Sequence, residues 1–250
     1  MSPAKPTILI VPGSFTSYGI YDSFLDLLRA QSFTAFAIKL PSTQKRHPLP
    51  PATLQDDAAH VRAVVESLIA EGEGTEVVVV AHSYGGAVAT EALSGLGVGS
   101  AAKGGVRRVV YLSAIALRVG ETMQTALQPA SGFPPEIEGY MHMDPTIMAH
   151  AVCNDLPYAQ AYQNAVLLEH HSGPSFNTAA TQESYKELPI TYIFCEKDFV
   201  VAPDAQQRFI DTIEEVSGKK VDVKRIDSGH CPNWSQPEAL LKLIVDATLL

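Results

Sequence analysis

The stretch Val77-Val78-Val79-Val80-Ala81-His82-Ser83-Tyr84-Gly85-Gly86-Ala87-Val88 constrains the fold more than any other part of the chain. Four consecutive valines suit a strand covered on both faces of a sheet and carry no helical period. The run passes without a spacer into small residues, so Ser83 falls at a strand-to-helix corner, on a strained turn that pushes its hydroxyl out of the sheet. Ala81 and Gly85, two before and two after the serine, let neighbouring backbone pass closely. This is the spacing of a nucleophile elbow, with Ala81 where the strict pattern has glycine. The competing reading makes Ser83 an ordinary N-cap of the helix that starts at Tyr84, so other parts of the chain must decide.

A length of 250 residues with 46% apolar content supports one large core, and α/β folds of this size are commonly single domains. The formal net charge of −9, with the basic pairs Lys45-Arg46, Arg107-Arg108 and Lys219-Lys220 scattered along the chain, argues against a nucleic-acid partner. Cys153, Cys195 and Cys231 lack the spacing of a metal or redox motif, which fits a reducing, cytoplasmic location. No apolar run approaches the roughly 20 residues of a membrane span. The expected partner is a small-molecule substrate, with no membrane, and a homodimer is left open.

Strand-like runs at 7–11 (TILIV), 34–40 (TAFAIKL), 77–80, 106–112 (VRRVVYL), 190–195 (ITYIFC) and 221–226 alternate with helical stretches at 20–30, 53–71, 84–96, 203–216 and from Pro237 onward. In the second helix Leu54, Ala58, Val61, Val65 and Leu68 recur at three- and four-residue steps, one buried stripe. Such alternation predicts a doubly wound, mostly parallel α/β sheet with ligands at the carboxyl ends of its strands. The period breaks down over 118–187, a proline-rich segment that reads as an insertion of short helices, a lid over that edge. Residues 1–117 and 188–250 would then form the core of a single domain.

A serine hydroxyl is a poor nucleophile until a base takes its proton, and the base needs a carboxylate to hold its tautomer. His230 lies in the loop after the last expected strand, beside Gly229; Asp198 follows the strand ITYIFC. The order Ser83, Asp198, His230 is that of the triad on this kind of sheet. Glu196 and Asp227 compete for the acid's place, and taken singly Asp198 is also readable as a helix cap and His230 as a partly buried loop residue. Oxyanion donors are expected from the N–H of Tyr84 and of Ser14, with Phe15 as the alternative to Ser14. Gly13 gives that first turn its close approach. His82 reads as a packed elbow residue pointing away from Ser83. His142, His170 and His171 can line a pocket, but no carboxylate or cysteine stands at ligand spacing, so no metal is expected. Met123, Met141, Met143, Phe133 and Phe176 form either an adaptable apolar pocket or the lid's own core; Gly13, Phe15 and Phe199 join Met123, Phe133, Met141 and Phe176 as candidate substrate contacts.

The segments TILIVPGSF, VVVVAHSYGGAV, ITYIFCEKDFVVAPDAQ and DSGHCPNWSQPEAL resemble the α/β-hydrolase superfamily over nearly the whole chain. Within it they are similar to the small-esterase and hydroxynitrile-lyase branch, which includes plant methylesterases and fungal hydrolases. The resemblance implies Ser83, Asp198 and His230 as the triad and a lid inserted after the sixth strand of the family fold. The chain departs from the branch at Pro12, where histidine is usual, and at Ala81. Lyase members carry threonine and lysine where this chain has Gly13 and Cys231, which disfavours cyanohydrin cleavage. The expected activity is cofactor-independent hydrolysis of a carboxylic ester, thioester or lactone of a small, fairly apolar molecule. A lyase, decarboxylase or cyclase of secondary metabolism on the same scaffold is the alternative, and a non-catalytic ligand receptor a third.

Overall fold

The computed structural model describes residues 5–17, 19–72, 74–100, 104–127 and 133–250. The first half alternates through β1 (Thr7–Val11), α1 (Asp22–Ala30), β2 (Ala35–Ala37), a single turn α2 (Pro41–Gln44), α3 (Leu54–Ala70), β3 (Thr75–His82), α4 (Tyr84–Ala92) and β4 (Gly104–Leu112). Small elements follow: α5 (Met123–Ala126), β5 (Glu136–Ile137), β6 (Tyr140–Met141), α6 (Pro145–Val152), α7 (Tyr158–Ala165), β7 (His171–Ser172) and α8 (Gly173–Asn177). The alternation resumes with β8 (Ile190–Cys195), α9 (Pro203–Ser217) and β9 (Asp222–Ile226), and α10 (Pro232–Ser235) and α11 (Pro237–Thr248) close the chain. Among the described residues no helix is long and apolar enough to cross a membrane.

Six strands form one parallel sheet in the order β2-β1-β3-β4-β8-β9. The valine run has no polar face because both of its faces are covered. Val77 and Val79 pack with Leu9 and Val109 against Val61 and Val65 of α3 and Ile210 of α9. Val78 and Val80 pack with Ile8, Ile10 and Val110 against Phe24 and Leu28 of α1 and Leu240 and Ile244 of α11. Each fully buried side chain of this size contributes about 2 kcal/mol, so the centre of the sheet is its most stabilising part. Winding reverses between β1 and β3, and the crevice beyond their carboxyl ends is where such sheets bind ligands. The turn from Pro12 to Phe15 and the corner at Ser83 meet there.

Pro41, where the second strand-like run stops, starts α2, since a proline at the first helical position gives up an N–H that has no helical partner anyway; Ser42 N–H then donates to Asp57 at 2.8 Å. One expectation is corrected. The segment between β4 and β8 is not helical alone. It contains a three-stranded antiparallel ribbon, β5-β6-β7, pairing Glu136 with Met141 and Tyr140 with Ser172. Strands of two residues are too short to show an alternating pattern.

The segment's return is tied to α4. Glu91, buried on that helix, accepts Thr181 N–H at 2.7 Å and Gln182 N–H at 3.0 Å. The elbow itself depends on backbone proximity: a Cβ at Gly85 would lie 2.3 Å from the carbonyl oxygen of Val11 and 2.7 Å from that of Pro12. We expect Gly85→Ala to lower unfolding free energy in urea by about 3 kcal/mol or to prevent folding, because rigid backbone cannot yield as overpacked side chains do. Gly72→Ala, whose Cβ would meet only Thr75 Oγ1 at 3.5 Å, should shift it by under about 1 kcal/mol.

Candidate active site

Ser83 has φ 54° and ψ −123°, a conformation that costs about 1–3 kcal/mol and that its neighbours impose. Its N–H donates to the Leu112 carbonyl at 3.1 Å, and its own carbonyl accepts Gly86 N–H at 2.9 Å and Ile115 N–H at 3.2 Å. The side chain makes no capping bond to α4, so the N-cap reading fails. The first turn runs directly over the serine: a Cβ on Gly13 would sit 3.2 Å from Ser83 Cβ and 3.7 Å from its Oγ.

Asp198, only 1% exposed, receives four donors. Oδ1 accepts the N–H of Val200 at 2.7 Å and of Val201 at 3.0 Å, both supplied by the turn into α9. Oδ2 accepts His230 Nδ1 at 2.6 Å and the Ser113 hydroxyl. A carboxylate this deeply buried is tolerated because its acceptor sites are filled. The two competing acids are engaged elsewhere, Glu196 with Arg225 at 3.6 Å and Asp227 with Lys197 at 2.8 Å. Ser113, at φ 40° just past β4, was not singled out from sequence. Its one local signal is a polar residue immediately beyond a strand end.

The His230 loop is braced from outside the sheet as well. Asp155, just beyond α6, accepts Gly229 N–H at 2.7 Å, and Asn154 donates to the Lys197 carbonyl at 2.8 Å. His82 does not point away from the site as expected. Its Nε2 meets the His230 carbonyl at 2.8 Å, its Nδ1 meets the Tyr21 hydroxyl at 2.7 Å, and its ring centroid is 4.8 Å from that of His230. The reason is geometric: the turn that throws Ser83 outward leaves the preceding side chain against the adjacent loop.

His171, fully buried, plays a comparable part under the first turn. Ser175 donates its hydroxyl proton to the Ser172 carbonyl at 2.8 Å, so His171 Nε2, 3.0 Å from Ser175 Oγ, carries the proton of that contact. Nδ1 is left to accept Phe15 N–H at 3.4 Å. Burial drives the His171 pKa down to about 3, consistent with the neutral ring this pattern requires. His142 and His170 lie away from the cavity; His170 meets Arg46 and the Lys45 carbonyl.

Ser83 and His230 share the wall of a cavity of about 190 Å³. Gly13, Ser14, Phe15, Met123, Phe133, Phe176 and Phe199 line it, and so do Met143, Ile147 and Met148. Phe199 is 71% exposed and forms part of the rim. Among the described residues that line the cavity there is no Lys, Arg, Asp or Glu. Met141 is a correction: paired between Glu136 and His171 in the small ribbon, it is buried in the main core, and Met143, two residues on and past the strand, faces the cavity instead.

The profile of the Alpha/beta hydrolase family matches residues 8–243. Probable hydrolase R7 of Phoma sp. is 52% identical over 244 residues, spanning 97% of this chain and 98% of its own length. Among solved structures, a pyrethroid hydrolase from Sphingobium faniae JZ-2 superposes with a TM-score of 0.74 at 22% identity, covering 97% of each chain. Polyneuridine aldehyde esterase also superposes with a TM-score of 0.74, at 20% identity, over 98% of this chain and 100% of its own. At these identities the two structures share the fold.

Behind the elbow, Asp57 of α3 accepts the Tyr84 hydroxyl at 2.8 Å as well as Ser42 N–H. Burial raises its carboxyl from the usual range to about 6, the donated bonds only partly opposing that. Between the unfolded value near 4 and this folded value the native state binds the extra proton, so stability falls as pH rises through that window and levels off above it. Two units correspond to about 3 kcal/mol. Unfolding curves of the wild type and Asp57→Asn should therefore converge or cross by roughly that amount, in favour of the variant, on going from pH 4 to pH 7; parallel curves would show that Asp57 does not titrate there.

Proposed function

We propose that this chain, which belongs to the alpha/beta hydrolase family, is a serine hydrolase acting on uncharged carboxylic esters, thioesters or lactones of small apolar molecules. The observation that carries the reading is the buried Asp198–His230 pair opening onto the same apolar cavity as a serine held in strained backbone. The names of the relatives, a probable hydrolase at 52% identity above all, support it.

In this mechanism Ser83 Oγ attacks the carbonyl carbon while His230 Nε2 takes its proton. Asp198 holds Nδ1–H and stabilises the imidazolium. The developing oxyanion is met by the N–H of Tyr84, the first residue of α4 and so without a helical acceptor, and by the N–H of Ser14. Phe15 N–H is committed to His171, which favours Ser14 as the second donor. The imidazolium returns its proton to the leaving oxygen or sulfur, and water, deprotonated by the same ring, releases the acyl group from Ser83. Gly13 leaves no side chain over the nucleophile, a feature that supports acyl transfer over cyanohydrin cleavage.

Specificity follows from what the wall lacks. A substrate carboxylate or phosphate would enter without a counter-charge and lose several kcal/mol of hydration. Met123, Phe133, Met143 and Phe176, from the segment between β4 and β8, shape the apolar part, so that segment acts as the lid that selects the substrate.

Ser83→Ala should lower kcat on short nitrophenyl esters by about 10^4-fold or more, with a smaller change in KM. The wild type, but not the variant, should incorporate one fluorophosphonate per chain. Undiminished turnover by the variant would remove Ser83 from the mechanism.

A further inference from the structure

The triad reading leaves one buried titratable pair beside the base without a role. His82 is the residue immediately before Ser83, and its Nε2 lies 2.8 Å from the main-chain oxygen of His230. A carbonyl oxygen only accepts, so Nε2 carries a proton. Burial among apolar neighbours takes the His82 pKa down to about 3, with the nearby His230 acting in the same direction; the ring is neutral and has one proton to place. Nδ1 is then an acceptor, and the Tyr21 hydroxyl at 2.7 Å donates to it. If the proton moved to Nδ1, an Nε2 lone pair would face the carbonyl lone pairs and the Tyr21 proton would lose its acceptor. Tyr21 therefore selects the tautomer that grips the base loop.

The loop is also held at Asp227, whose carbonyl accepts the Gln236 side-chain amide, at Ser228, whose carbonyl accepts Lys197 N–H at 2.9 Å, at Gly229 by Asp155, and at Cys231, whose carbonyl accepts Trp234 N–H at 3.0 Å. None of these bonds reaches His230 itself. Asp198 fixes one edge of the imidazole, and His82 is the residue that hydrogen-bonds the His230 main chain itself.

Resting on the triad reading, we propose that His82, locked in its Nε2–H tautomer by Tyr21, is a positioning residue that holds the His230 main chain so that the imidazole meets Ser83. The strand that presents the nucleophile thereby also sets the place of its base. A shift of about 1 Å in a reacting group can cost about 100-fold in rate.

The test compares His82→Leu, which loses the donor, with His82→Gln, whose side-chain amide reaches the same carbonyl. Tyr21→Phe, which removes only the hydroxyl, covers the case in which the leucine variant does not fold. Turnover of a short nitrophenyl ester is expressed per active site, counted by fluorophosphonate stoichiometry at completion. His82→Leu should lose about 100-fold in kcat per titrated site with KM within about twofold, and His82→Gln should stay within about fivefold of wild type. Tyr21→Phe should lose about 10-fold, one hydrogen bond's worth. Equal kcat per site in the leucine and glutamine variants, or an unchanged Tyr21→Phe, would overturn the proposal and leave the pair as core packing. Ser83→Ala, run in parallel, separates the two claims: if it retains turnover the triad reading itself fails, and if it is inactive while the His82 variants are alike only the positioning role fails.

Discussion

A backbone conformation that a serine does not adopt unaided lies at the centre of this protein. Ser83 at φ 54° is kept there by hydrogen bonds from β4 and α4 and by the crossing of Gly85 over the last carbonyls of β1. None of these contacts works without the others. The valines of β3 fix the strand end by burial on two faces, the strand end fixes the corner, and the corner brings Ser83, His82 and the N–H of Tyr84 to three different neighbours. Strain of this kind persists only where the surroundings over-determine it, and here the surroundings are the most deeply buried part of the sheet.

The same economy governs the polar groups. Four donors converge on Asp198, and the neutral rings of His82 and His171 each bind one residue of a functional loop through a single defined tautomer. Asp198, His82 and His171 are thus satisfied internally, and the cavity wall carries no charged side chain among the described residues. The crevice therefore has two kinds of surface: a largely apolar, uncharged wall, and a floor where Asp198, His82 and His171 hold defined partners.

Much of the fold was legible in the sequence, because burial on both faces of a parallel strand and the stripe of α3 write themselves into residue order. The neighbourhood of the site was legible for a related reason: in a doubly wound sheet, residues just past strand ends share one edge, so Asp198 and His230 could be placed near each other and on the same edge as Ser83 before any coordinates. What stayed hidden depends on contacts between distant parts of the chain. Ser113 reaches Asp198 across 85 positions, Tyr21 reaches His82 across 61, and His171 reaches Phe15 across 156. Met141 was misplaced because a strand of two residues has no period to read, although its pairing decides which way the side chain goes.

Asp155 carries a further implication. Its carboxylate anchors Gly229, and a Cβ on Gly229 would come within 2.8 Å of it, so the segment between β4 and β8 is tied to the His230 loop by this hydrogen bond as well as by the packing of Cys153 with Cys231. The two are not interchangeable modules. Any exchange of that segment between relatives, whether by evolution or by grafting, must bring an acceptor for the Gly229 amide, or the His230 loop would lose one of its ties.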